Sequence, residues 1–377
     1  MFRGEALKRS MLYRASGQAL PAHLTTGVSL HSHTSRSKET MSFIPRYVEK
    51  VPYLSNRIRH LESEYLKYHG QTFDYSRVWW TPPLEPKAAF DLERNQIQTK
   101  LGRKALVSLS DHDNVDAGYA LRIFEECAGA PISTEWTVPL GLSFLHIGVH
   151  NLDASRARML EAAMAEVTAN ACPDAIEAML DELNRDPHTL VVVNHPLWDE
   201  AKLGQEQHVR MVTQFLRRYG RHIHGLELNG LRDPKENQAV ERLAEEFDLP
   251  LLSGGDRHGC EPNALVNLTT AESFNDFVGE IRDGKPTHTV YMHQYDEPIR
   301  LRVLQVMSDV VRTYDEFDVQ RRRWSDRIFY RCQDETVRRL SDVWSGRGPD
   351  VVGQFIAAMQ LMQSRHVRAV LRMALSA

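Results

Sequence analysis

Short apolar runs, separated by polar stretches with helical spacing, recur along this 377-residue chain. Runs at 27–30, 105–110, 132–137, 144–149, 190–194, 225–228, 250–253 and 288–291 have the length and composition of strands. Between them, apolar residues three or four apart predict helices at 46–68, 116–127, 154–169, 174–184, 205–219, 235–247 and 271–283. The alternation predicts an α/β fold built from βα units and a parallel sheet. About eight such units suit a closed βα barrel better than an open sheet, because barrels of this kind typically take ~250 residues.

Two regions exceed a minimal barrel. Residues 38–101 combine a helical stretch with the run Trp79-Trp80-Thr81-Pro82-Pro83-Leu84-Glu85-Pro86, and are expected to form a lid or side wall. From about Pro298 onward the pattern predicts three helices, at 301–318, 325–344 and 351–375, broken by Gly346 and Pro349. The expected organisation is therefore an N-terminal extension (1–25), a barrel (26–297, with insertions at about 38–101 and 154–187) and a C-terminal helical extension (298–377). The last could pack on the barrel or join two copies of the chain.

Composition narrows the class. The net charge of -4 offers no global basic field for nucleic acid. Cys127, Cys172, Cys260 and Cys332 are scattered without a CxxC, which predicts a reducing compartment and a cytoplasmic location. No apolar run is long enough to span a membrane. The first twenty residues carry Arg3, Lys8, Arg9 and Arg14 but no long apolar core, so a frayed helix is expected there rather than a secretory signal.

The chemistry lies in an ordered series: His31 and His33, Asp111 and His112, Glu135, His146, Asn194-His195-Pro196, and Asp256 and His258. Most of these follow a predicted strand, and strand C-terminal ends form the active face of βα barrels. Imidazole and carboxylate are natural ligands for Zn2+, Mn2+ and Fe2+. Six histidines and three carboxylates are too many for one ion. They suit two or three ions if a carboxylate such as Glu135 bridges two of them. Clustered ions can acidify a bound water and stabilise both oxygens of a phosphate ester displacement. The chain has neither a GxSxG elbow nor a GxxxxGK[ST] loop, as expected where water is the nucleophile.

The text Leu30-His-Ser-His-Thr34, Leu109-Ser-Asp-His-Asp113, Ser133-Thr-Glu135, Phe144-Leu-His-Ile-Gly148, Asn194-His-Pro196 and Ser253-Gly-Gly-Asp-Arg-His-Gly259 resembles the PHP (polymerase and histidinol phosphatase) family of phosphoesterases. The resemblance implies a distorted (β/α)7 TIM-like barrel and two or three divalent ions. By position, His31, His33, Glu135 and Asp256 would hold one ion, Glu135, His146 and His195 a second, and His112 and His258 part of a third. Asp111 would orient His112 rather than bind metal. The chain departs from the family after its HxH. Lys38 stands where a third-metal aspartate is usual. Either Glu39 moves one step to serve as that ligand, or Lys38 and Arg36 meet the phosphate directly. Ser29 also replaces an acid usual two residues before the HxH.

Other residues carry plainer readings. His222 and His224 form a second HxH, but before a strand, at the opposite face, and are read as structural. His150 is a reserve ligand, Asn229 a polar strand end, and Arg257 either a substrate contact or a salt-bridge partner. The basic run 320–324 reads as a solvated helix face. The expected activity is hydrolysis of a phosphate ester by metal-bound water, first a phosphomonoester such as a nucleotide or sugar phosphate. Alternatives are a phosphodiesterase on short oligonucleotides, an amidohydrolase-like enzyme on C–N bonds, and a non-catalytic metal-binding regulator.

Overall fold

The computed structural model describes residues 9–16, 19–41, 52–70, 72–343, 350–362 and 367. In chain order the strands are β1 (Ser10–Arg14), β2 (Thr26–Ser29), β3 (Glu39–Thr40), β4 (Val78–Trp80), β5 (Lys104–Val107), β6 (Ile132–Leu140), β7 (Ser143–Leu152), β8 (Leu190–Val193), β9 (Gly225–Asn229), β10 (Leu251–Gly254), β11 (Leu265–Thr269), β12 (Thr287–Tyr291), β13 (Ile328–Arg331) and β14 (Val337–Arg339). The helices are α1 (Pro52–His69), α2 (Pro86–Gln96), α3 (Asp116–Leu121), α4 (Ala157–Ala169), α5 (Pro173–Asn184), α6 (Gln205–Tyr219), α7 (Pro234–Phe247), α8 (Phe274–Arg282), α9 (Ile299–Val311), α10 (Leu340–Val343) and α11 (Asp350–Met362). The chain divides into two compact units, Met1–Ser37 with Leu84–Arg302 and Lys38–Pro83 with Val303–Ala377.

The first unit holds two five-stranded sheets, in the orders β1-β12-β11-β2-β5 and β10-β9-β8-β7-β6. The expected single closed (β/α)7 barrel of parallel strands is not what the ladders form. Strand pairs β1/β12, β2/β5, β8/β9 and β9/β10 are parallel, whereas β6/β7, β7/β8 and both neighbours of β11 are antiparallel. The cause is local. Only two residues join β6 to β7, and Gly141 there takes a positive φ of 65°. A connection that short makes a hairpin and leaves no room for the crossover a parallel pair needs. Two isolated parallel bridges, Ser32 with Arg257 and His112 with Glu135, run between the sheets.

Burial follows sequence period. All four residues of β8 are buried, so it reads as an unbroken apolar run. Helix α6 buries His208, Val212, Phe215, Leu216 and Tyr219, the face its spacing predicts. With Trp136, Ile147, Val193 and Leu226, the side chains of Val212, Phe215, Leu216 and Tyr219 belong to the largest core cluster. Each fully buried aliphatic side chain contributes about 1.5–3 kcal/mol. Helix α8 starts at a reciprocal capping box between Ser273 and Asp276.

Several expectations are corrected. Residues 10–14 form β1, parallel to β12, not a frayed helix. The run 265–269, not predicted as a strand, is β11. The helix expected at 325–344 is instead a short helical turn followed by the β13/β14 hairpin, because Ile328-Phe329-Tyr330 is a β-forming run and Glu335 turns the chain with φ 63°. Helix α9 stops at Val311, short of the expected 318. The first part of the expected 46–68 helix and most of 363–375 lie outside the described residues.

In the second unit β14-β13-β4-β3 form an antiparallel sheet. Trp79 stacks on Phe329 across it, with ring centroids 5.7 Å apart. Helix α2 belongs to the first unit, so the division falls at Pro83 rather than at 101. No helix among the described residues is long and apolar enough to cross a membrane.

Imidazoles held away from water, His224 among them, set an acid limit on the first unit. Val191 N–H donates to His224 Nδ1 at 2.9 Å. Burial, reinforced by Arg282 and His222, lowers the pKa of His224 to about 3. An unfolded histidine titrates near 6.5, so between about pH 6.5 and 3 the unfolded state binds the extra proton. The stabilisation is therefore present above pH ~6.5 and lost as pH falls, by up to ~1.4 kcal/mol per pH unit. Replacing His224 by Asn should flatten the decline of stability between pH 6 and 4 in denaturant melts of the metal-free chain. An unchanged slope would remove this cause.

Candidate metal centre

Most of the residues singled out in the sequence sit where strands of the first unit give way to loops, while Glu135 and His146 lie within β6 and β7. His31 follows β2, His195 follows β8 and Asp256 follows β10, and all three have positive φ (59°, 28° and 52°). Left-handed backbone at a non-glycine residue costs on the order of 1–3 kcal/mol and persists only where surroundings enforce it. Here the turn takes each side chain off its strand and into one shared cluster.

The cluster is organised around Glu135, fully buried on β6. Its Oε1 lies 3.1 Å from His31 Nε2, 3.2 Å from His195 Nε2 and 3.5 Å from His146 Nδ1. Its Oε2 lies 3.2 Å from His112 Nδ1 and 3.3 Å from His33 Nε2. Asp256 Oδ1 lies 3.5 Å from His33 Nε2, 3.6 Å from His31 Nε2 and 3.4 Å from His258 Nδ1. Donor atoms thus gather as His31/His33/Asp256, His31/Glu135/His195 and His112/Glu135/His146, within 4.8 Å in each set. The rings of His33 and His258 stack at 4.2 Å, and those of His33 and His112 at 4.6 Å. The eight residues that the sequence placed in metal positions in this unit are therefore neighbours. His112 joins Glu135 and His146, a grouping the sequence did not suggest.

Electrostatics bind the cluster together. Burial pushes the Glu135 carboxyl up, but the charges of His31, His146 and His112 and a bond from His195 outweigh it and hold the group well below the carboxylate range. Burial opposes a charge on His31, yet Glu135 and Glu227 raise its pKa well above that of a free imidazole. His146 is driven the other way, by burial and by the neighbouring His112 and His195. Asp256 stays ionised against burial through His33, His258, Arg232 and His31.

Behind the donors lies a supporting layer. Glu227 on β9 puts Oε1 2.5 Å from His31 Nδ1, and its Oε2 accepts the His195 backbone N–H at 2.7 Å and Asn229 Nδ2 at 2.9 Å. Asp111 accepts from the backbone N–H and hydroxyl of Thr34, at 2.5 and 2.7 Å, and so pins the turn after the HxH. Asn194 Nδ2 donates to Glu135 at 2.9 Å. Arg257 is not a substrate contact. It is 3% exposed, pairs with buried Glu93 at 3.0 Å and donates to the carbonyls of His33 and Gly259. Glu93 also accepts from Ser29, so this site tolerates serine before the HxH within a buried polar network. Arg232, stacked 4.1 Å over Trp198, donates to Asp256 Oδ2 at 2.9 Å and keeps 13% of its side chain exposed.

His150, His222 and His224 fall outside the cluster. His150 bonds to Ser108 at 2.8 Å, and burial lowers its pKa to about 3. His222 and His224 lie at the opposite strand ends, facing Asp181 and Val191. Arg36 is exposed. In the second unit, Lys38 is exposed, with its ammonium 5.9 Å from the Trp79 ring, and Glu39 opens β3 opposite Trp80. Glu227, Glu93 and Arg232 were not picked out from the sequence. Of these only Glu227 left a signal, since it shares a strand face with Asn229 at period two.

No family model matches the chain, and no curated protein matches it either. Among solved structures, PsfC from Pseudomonas syringae is 16% identical, covers 59% of this chain and 87% of its own, and has a TM-score of 0.39. A Bifidobacterium adolescentis protein provisionally named a metal-dependent phosphoesterase is 17% identical, with 54% and 92% covered and a TM-score of 0.33. An amidohydrolase from Chromobacterium violaceum, solved with sulfate and no metal, is 16% identical, with 47% and 83% covered and a TM-score of 0.29. Likeness at this level leaves the case for function to the chain's own geometry.

The supporting layer leaves no spare volume. A Cβ at Gly254 would lie 1.6 Å from Glu227 Oε1 and 2.5 Å from its carboxyl carbon. Gly254→Ala must therefore displace Glu227 or β10. The expected loss is about 1–3 kcal/mol in a denaturant melt. A wild-type midpoint would show that the carboxylate moves aside freely.

Proposed function

We propose that the first unit is a metal-dependent phosphoesterase of the kind its motifs resemble, holding two or three divalent ions and hydrolysing a phosphate ester. One observation carries the reading: five imidazole nitrogens lie within 3.5 Å of a single buried carboxylate, Glu135. His31 Nε2 also lies 3.2 Å from His33 Nε2. Protons alone serve such a set poorly, because one proton satisfies one donor–acceptor pair while two nitrogens and two carboxylates converge on the same space. Glu135 Oε2 is buried and accepts no hydrogen bond. Divalent cations fit both facts, and nitrogen and carboxylate oxygen are their usual donors.

In this reading His31, His33, Glu135 and Asp256 would hold one ion, Glu135, His146 and His195 a second, and His112 and His258 part of a third. Bound ions would supply an acidified water and positive charge at the phosphoryl oxygens. The protein's own residues do the rest. Asp111 fixes the turn that carries His33, and Arg257 with Glu93 buttresses the same loop from beneath. Arg232 and exposed Arg36 offer positive charge for an anionic substrate. That supports phosphate over a neutral amide, and a small phosphomonoester over a long polyanion given the net charge. The seven strands β2 and β5–β10 are read as a distorted barrel. The two isolated bridges near the ligand-bearing ends support this, linking β2 to β10 and β5 to β6 where the ladders are broken. Glu39 remains the proposed further ligand on its place six residues after His33, with Lys38 as the alternative, a phosphate contact.

The test is turnover of p-nitrophenyl phosphate, bis-p-nitrophenyl phosphate and simple amides with Mn2+ or Zn2+. Monoester hydrolysis is expected, abolished by chelation and lowered at least ~100-fold in Glu135→Gln. Amide turnover without phosphate ester turnover would overturn the phosphoesterase assignment. For the third position, Glu39→Ala should lose about one equivalent of bound metal. Unchanged stoichiometry and activity would sink Glu39 as a ligand.

A further inference from the structure

We infer that Glu227 is the positioning residue of the centre, fixing His31 as a ligand and yoking it to the turn that carries His195, so that two metal positions are tuned together. This rests on the metal-dependent reading above. A carboxylate oxygen only accepts, so Glu227 Oε1 at 2.5 Å places the proton of the His31 ring on Nδ1. When the ring is neutral, as a metal ligand must be, the lone pair is on Nε2, the atom that faces Glu135, His33 and Asp256. The second oxygen of the same carboxylate holds the backbone N–H of His195, whose own Nε2 faces Glu135. One side chain thus sets the tautomer of one donor and the backbone position of another, both of which face Glu135 Oε1.

Its own placement is over-determined. Asn229 donates to Glu227 Oε2, and Asn237 in turn accepts the Asn229 backbone N–H at 3.0 Å and donates to its carbonyl at 2.9 Å. On the other side Gly254 presses its Cα against the carboxylate, where a methyl group would not fit. Glu227 is 2% exposed and is not itself within any of the donor sets, so it acts through His31 and His195. Carboxylates behind metal-binding histidines typically tune affinity by 10–100-fold.

The experiment is calorimetric titration of the metal-stripped full chain with Mn2+, and visible absorption after Co2+ loading. Glu227→Gln keeps the shape but sets an amide N–H against either the His31 Nδ1–H or the His195 N–H. It should weaken both of the tighter Mn2+ equilibria by about 10–100-fold and shift the Co2+ bands, with the far-UV dichroism of the apo chain unchanged. Asn229→Ala, which frees one Glu227 oxygen without touching a donor, should weaken them less, by a few-fold. Wild-type Mn2+ affinities and Co2+ bands in both variants would overturn the role of Glu227 while leaving the metal reading intact. If only one equilibrium weakens, the yoking is wrong. If the wild-type chain takes up neither ion, the metal reading falls and this inference with it.

Discussion

Everything in the first unit is arranged to keep one carboxylate ionised in a place without water. Removing an isolated carboxylate from water costs several kcal/mol even after the protein relaxes. Glu135 sits in such a place, and no lysine or arginine pairs with it among its described contacts. Its compensation comes from five imidazoles on four chain segments and from one asparagine. Each must arrive within about 3.5 Å, which dictates where strands end and how the chain leaves them. The positive φ values at His31, His195 and Asp256 are local costs of that convergence. The antiparallel β6/β7 hairpin belongs to the same constraint, since it sets Glu135 and His146 on adjacent strands, two residues out of direct register.

The legible part of the site was the part written in ligand-type residues at strand ends. His31, His33, His195 and Asp256 could be found because each stands just past the C-terminal end of an apolar run, whereas Glu135 and His146 stood out as ligand-type residues inside the runs 132–137 and 144–149. What supports them was hidden for a physical reason. Glu227, Glu93 and Arg232 matter through residues that face them across the fold, about 196, 164 and 24 positions away in the chain. Arg257 makes the point in reverse. Its place between Asp256 and His258 suggested the site, and only burial against Glu93 reveals that it braces the loop from behind.

The fold was legible to the same degree and failed in the same way. The strand–helix alternation identified the α/β class and seven of the strands that matter to the centre. It could not show that β6, β7 and β11 run antiparallel, because direction depends on connection length and partner rather than on apolar period. The 325–344 segment was misread because Leu340 and Val343 continue a helical spacing past a run, Ile328–Arg331, whose branched and aromatic residues fit a half-buried strand better. Propensity and period disagreed there, and pairing with β4 decided between them.

The opposed shifts at the centre have a consequence for how it would fill. His31 holds its proton well above the usual range, while His146 sheds one well below it, although both face Glu135 Oε1. The difference lies behind the rings. His31 has a second carboxylate, Glu227, on its far nitrogen, whereas His146 has an aromatic neighbour, Phe144, at 5.1 Å and two other imidazoles. In the metal-free chain the charge on His31 therefore does part of what a cation would do, partly offsetting the two carboxylates beside it, Glu135 and Glu227. A divalent ion on the His31 Nε2 side must displace positive charge already present, and one on the His146 side meets a neutral ring ready to donate. Under the proposed function the two halves of the cluster then differ in proton cost although they share a bridging carboxylate, because metal uptake releases protons where ligands start protonated. The asymmetry comes from burial, from Glu227 behind His31 and from the imidazoles of His112 and His195 beside His146, so the surroundings of each donor, and not its residue type alone, set the chemistry of the centre.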